Sequence, residues 1–120
     1  MRGEPAKSET VAGEYTPEKK SPLEFRVGHF LRISSYLDYA MLSMWAQRRP
    51  QVVMGMAEAS VRGAAPDGAE GPDEEILARL RNLIGEAREY HAADDFPAAM
   101  ARMRVADDLV ALHIIRLCGE

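Results

Sequence analysis

The chain is nearly free of cysteine: Cys118 is the only one in 120 residues. A lone thiol closes no internal disulfide, so a disulfide-held scaffold is excluded and nothing calls for an oxidising compartment. Lysine is scarce too. All three (Lys7, Lys19, Lys20) lie in the first 20 residues, and every cation after them is an arginine. Long apolar runs are missing: the stretch from Asp38 to Arg62 is interrupted by Arg48 and Arg49. No window reaches the roughly 18–20 apolar residues that a membrane-spanning helix needs, so membrane insertion is not expected. The first 21 residues hold no apolar segment of the kind a secretory signal requires, which makes the cytoplasm the expected compartment. A surplus of positive charge is also absent. The formal net charge is −4, which argues against a polyphosphate partner held by bulk charge.

The residue patterns of most active sites are missing as well. A di-iron bundle needs Glu-x-x-His pairs, but the residues three before the histidines are Arg26, Arg88 and Val110. One cysteine and three scattered histidines make a poor zinc set, and His113 and Cys118 lie apart around a helix. There is no Gly-x-Ser-x-Gly elbow, no GxGxxG and no phosphate-binding loop. Glu86, Glu89, Asp94 and Asp95 gather in sequence, yet a helix end followed by a capped helix start accounts for the two aspartates. We therefore expect no enzyme activity, no metal and no cofactor.

What is present is helical periodicity. Residues 1–21 are polar, with four basic and four acidic side chains, and read as a disordered tail. Residues 22–120 read as a single helical domain. Ser21-Pro22-Leu23-Glu24 combines a cap, a proline at the first helical position and a reciprocating glutamate. A stripe of Leu23, Val27, Phe30, Leu31, Leu37, Met41, Met44 and Trp45 follows and predicts a helix over 22–48. Leu23, Phe25 and Val27 also alternate as a strand would, but the cap and the downstream stripe favour helix. Arg49-Pro50 interrupts it. Residues 51–62 suit a short helix with Val52, Val53, Met56 and Ala59 or Ser60 on one side, weakened by Gly55.

Residues 63–72 (GAAPDGAEGP) form a flexible, acidic linker. Pro72-Asp73-Glu74-Glu75 starts another helix, with acids where the helix dipole favours them. Its stripe is Ile76, Leu77, Leu80, Leu83, Ile84, Ala87 and Tyr90. A turn at 92–95 leads through Asp95, as cap, into a last helix over 96–118. That helix is striped by Phe96, Ala99, Met103, Ala106, Val110, Ile114 and Leu117, and Gly119 can end it. So short a loop implies an antiparallel C-terminal hairpin. The fold class expected is all-α, a small bundle of three main helices plus a short one.

Leu83, Ala87 and Tyr90, then Asp94-Asp95-Phe96 at the turn, then Ala99 and Ala106, make residues 80–113 resemble a single tetratricopeptide-type repeat. The sequence departs from that pattern at Glu86, Met103 and Ala111, where the family favours leucine, an aromatic and proline. The resemblance covers about a quarter of the chain and implies protein–protein contact.

Five of the eight aromatics (Phe25, Phe30, Tyr36, Tyr39, Trp45) fall in the first helix, and with Ile33, Met41 and Leu42 they spread wider than one buried stripe. Six internal methionines add pliable apolar surface. Phe30, Tyr36, Tyr39, Met41 and Trp45 are thus the candidate interface residues, in a non-catalytic assembly or interaction subunit that forms a homo-oligomer or joins a larger complex. Two other readings are a small-ligand sensor, with an interhelical pocket of aromatics and methionines, and a DNA-binding regulator. The last helix sets Arg102, Arg104 and Arg116 against Asp107 and Asp108, so it offers no basic face, and a nucleic-acid partner is not expected.

Overall fold

Four helices follow one another in the computed structural model, which describes residues 22–119: α1 (Pro22–Ala46), α2 (Pro50–Ser60), α3 (Pro72–Ala92) and α4 (Phe96–Gly119). No strand occurs among the described residues, and the all-α bundle of three longer helices and one short one is the architecture observed. The tail over 1–21, with its Ser21 cap, lies outside the described residues. Packing runs round a ring: α1 lies against α2 and α4, and α3 lies against the same two. α1 and α3 are diagonal to one another and have no direct backbone packing.

One core fills the middle. α1 contributes Phe30, Ile33, Leu37, Ala40 and Met44; α3 contributes Ile76, Leu77, Leu80, Ile84 and Ala87. The buried apolar residues of α4 are Ala99, Met103, Ala106, Val110 and Leu117, the spacing expected of an amphipathic helix. Alanines at 87, 99 and 106 let the α3–α4 hairpin close tightly. Arg102 fastens it from outside, donating to Glu86 at 2.8 Å and lying over the Tyr90 ring.

Three residues other than glycine stand in the left-handed region at helix boundaries: Arg49 (φ 54°) opens α2, and Gln47 and Asp94 close the helices before them. Gln47 (φ 55°) follows α1, and the Arg48 N–H reaches back to the Ser43 carbonyl at 3.0 Å. Asp94 (φ 63°) follows α3, and the Asp95 N–H reaches Tyr90 at 2.9 Å. Each pairing is a Schellman closure, which satisfies carbonyls left open at a helix end. α1 therefore ends at Ala46, short of the 48 that its apolar stripe predicts. Asp95 caps α4 as expected, its Oδ1 accepting from the Ala98 N–H at 3.2 Å.

Several expected faces are corrected. Leu31 (52% exposed) and Trp45 (73%) point out of the bundle, and Ile33 and Ala40 take the inner positions. In α2 the inward side is Val53, Met54 and Ala57, while Val52 and Met56 are exposed. Gly55 lies under the Arg88 guanidinium, which spans to Glu58 at 2.6 Å. The stretch over 63–72 is folded onto the bundle: Ala65 is buried, the Gly68 N–H bonds the Ala65 carbonyl, and Asp67 bonds Arg26.

Candidate functional site

Three places bring polar chemistry or unpartnered apolar surface together. The first is inside. Asp73 stands in the opening turn of α3, after Gly71 and Pro72, and its side chain is fully buried. Arg26, one turn into α1, meets that carboxylate with a two-pronged contact: Nε to Oδ2 at 2.9 Å and Nη2 to Oδ1 at 2.8 Å. His113, buried in α4, donates from Nε2 to Asp73 Oδ1 at 2.7 Å. Arg26 also reaches Asp67 at 3.2 Å, and Asp67 leans so close to Gly71 that a Cβ there would collide with it. Phe30 packs its ring edge-to-face on His113 at 4.7 Å.

Burial pushes the Asp73 carboxyl up, but hydrogen bonds from Arg26 and His113, with the Arg26 charge, outweigh it and hold the group below the usual carboxylate range. The cluster ties α1, α3 and α4 at one end of the bundle, across the diagonal that backbone packing leaves open. Asp73 and His113 are both closed to solvent, so its chemistry is that of a joint with no way in for a substrate.

The second place is a cleft of about 330 Å³ between α1 and α2. Ile33 and Met56 form apolar walls; His29, Arg32, Tyr36 and Ser60 supply the polar atoms. His29 Nε2 is buried without a hydrogen-bond partner. Burial, then the Arg32 charge, lower the His29 pKa against the smaller opposing pull of Asp73, so its imidazole is neutral around pH 7.

The third is the seam of α1 and α4. A groove of about 510 Å³ is lined by Met41, Leu42, Trp45, Phe96 and Met100, with Arg104, Asp107 and Asp108 at one side. Trp45 touches Phe96 at 6.2 Å between ring centres but is otherwise bare, and Leu42 beside it is 62% exposed. Leu31, Leu42 and Trp45 share one sector of α1, at spacings of 11 and 3 residues. Val105, Leu112 and Ile115, all half or more exposed, do the same on α4. Farther along the seam the Ser34 hydroxyl donates to Asp107 at 3.2 Å. Burial, then the hydrogen bond and charge of Asp38, raise the Asp107 carboxyl to about 6, with Asp108 adding to the effect and Ser34 opposing it.

The candidate interface residues do not form one surface. Phe30 is fully buried against His113, which corrects its reading as a surface contact. Tyr36 is half-buried and belongs to the α1–α2 cleft, whereas Met41 and Trp45 belong to the α1–α4 groove, and Tyr39 is exposed between them. The acids near the hairpin turn are also dispersed, since Glu86 pairs with Arg102, Asp95 caps α4 and Asp94 shapes the turn. His91 accepts from Gln51 at 2.7 Å, and Cys118 is exposed while His113 is buried. The buried cluster is not among the sites expected from the sequence. Its available signal was His113 at the inward spacing of Val110 and Leu117, a polar group in a core position that must find a partner. No protein-family model, curated protein or solved structure matches the chain.

Proposed function

We propose that the chain is a non-catalytic helical interaction module, and that it binds a protein partner, a second copy or a larger subunit, through the α1–α4 face around Trp45. The observation that carries this is the 73% exposure of the one tryptophan, flanked by exposed Leu42 on a floor of Met41, Phe96 and Met100. An aromatic side chain buries 150–250 Å², so covering what Trp45 exposes is worth roughly 3–4 kcal/mol at ~25 cal/mol per Å². The fold leaves that gain unused, as interfaces built on a few aromatic anchors do. Arg104, Asp107 and Asp108 border the groove with both signs of charge, in keeping with a polar rim. The likeness of the α3–α4 hairpin to a tetratricopeptide-type repeat points the same way. The test is the light-scattering mass of the pure chain at micromolar concentration, joined to a pull-down from the native host. A dimer or larger species, or a retained partner, either one lost in Trp45→Glu, supports the reading. A monomer with no partner contradicts it.

A further inference from the structure

The α1–α2 cleft sets apolar walls beside two polar groups, the Arg32 guanidinium and His29 Nε2, that have no hydrogen-bond partner among the described residues. Its volume of about 330 Å³ lies at the small end of the range for ligand pockets. Arg32 lines it and its side chain makes no hydrogen bond or ion pair among the described residues, as is also the case for Arg48, Arg49, Arg79, Arg104 and Arg116, none of which lines this cleft. No acidic side chain among the described residues lines the cleft. Tyr36 adds a phenol, and His29 Nε2 is a buried ring nitrogen without a partner, free to carry its proton and donate. Ser60 spends its proton on the Ala57 carbonyl at 2.6 Å and so offers only lone pairs. Around these groups Ile33, Met56 and Ala59 present hydrocarbon.

We infer that this cleft is a binding site for a small monocarboxylic acid with a compact apolar tail, a single ring or a short alkyl chain, its carboxylate on Arg32 and Tyr36 and its tail between Ile33 and Met56. One guanidinium matches a monoanion, and the planar fork of arginine suits a carboxylate. A phosphate dianion would leave one negative charge without a cation, since Arg32 is the one arginine or lysine among the described lining residues. The tail length follows from the volume and from the walls, which α1 and α2 close on two sides. The docking face is elsewhere on the bundle, so this site and that reading fail or hold separately.

The experiment titrates benzoate and hexanoate, with benzamide as the uncharged control, into the full chain while backbone amide shifts are followed by NMR. Saturable shifts centred on residues 29–36 and 56–60 are expected for both acids, with benzamide at least tenfold weaker. Arg32→Gln, at an exposed position where the fold does not depend on it, should weaken benzoate at least tenfold. Met56→Ala should weaken hexanoate while leaving the preference for acid over amide intact. Absence of saturation at millimolar acid, shifts centred elsewhere, or equal affinity in folded Arg32→Gln would each overturn the proposal.

Discussion

Asp73 and His113 stand 40 residues apart in sequence and meet at 2.7 Å, carboxylate to imidazole, with both side chains closed to water. Arg26 completes the cluster from a helix that has no backbone packing with α3. Removing one member of a buried charged cluster strands the others, which costs about 3–5 kcal/mol. Asp73→Ala should lose about that much in urea unfolding, since His113 loses its acceptor and Arg26 its two-pronged one, although Arg26 keeps Asp67. His113→Leu leaves the Arg26–Asp73 fork intact and should lose less. Equal losses would contradict the central place given to Asp73.

The same cluster sets an acid limit. Burial raises the Asp73 carboxyl, but the bonds from Arg26 and His113 bring it below its ordinary value. A depressed folded-state value means that its contribution is complete above the unfolded value near ~3.9 and is lost as pH falls through the lower folded value. Thermal melts should therefore decline on the acid side of about pH 4, and Asp73→Asn should flatten that decline. An acid limb unchanged in Asp73→Asn would refute the assignment.

Legibility in the sequence followed local regularity. The inward faces of α3 and α4 can be read because their apolar stripes hold helical spacing along the whole helix, although α4 also carries Val105, Leu112 and Ile115 outside. α2 could not: Val52, Val53, Met54 and Met56 surround the helix and offer no contrast, so the choice of Val53 and Met54 is made by the neighbouring helices. Asp73 was visible as an acid at a helix start, where the dipole alone explains it; its partners are 47 and 40 residues away. The first helix was rightly read as having more apolar surface than one side can bury. Which residues stay outside was set by the ring of packing, which takes Phe30 and Ile33 in and leaves Leu31, Leu42 and Trp45 out.

Asp107 shifts the other way. Its carboxyl, raised to about 6 by burial and by Asp38, costs the fold stability when ionised. That cost is absent below the unfolded value near ~3.9, where both states are protonated, grows between there and about 6, and is complete above it. Asp107→Asn keeps an acceptor for Ser34 and removes the charge. It should raise the Tm by several degrees at about pH 8, roughly 4–8 °C per kcal/mol for a domain of this size, with a gain that shrinks towards about pH 4. A gain independent of pH would contradict the raised Asp107 carboxyl.

Gln47 is held left-handed at the end of α1 and is exposed there. That conformation costs a side-chain-bearing residue roughly 1 kcal/mol, and glycine takes it freely. Gln47→Gly should preserve the Schellman closure at Ser43 and raise stability by up to about 1 kcal/mol in urea unfolding. A loss of stability would show that the Gln47 side chain does more than the exposed turn suggests.

The claim that the α1–α4 face is a docking surface is tested most directly by Trp45 itself, because it is the only tryptophan in the protein. Its fluorescence and acrylamide quenching can be followed from dilute chain to the assembled state, whether that state is a homo-oligomer or a complex with a captured partner. The account predicts a solvent-exposed, readily quenched indole at dilution that shifts to the blue and becomes protected on assembly. An assembled state in which Trp45 remains as red and as quenchable as in the dilute chain would contradict it.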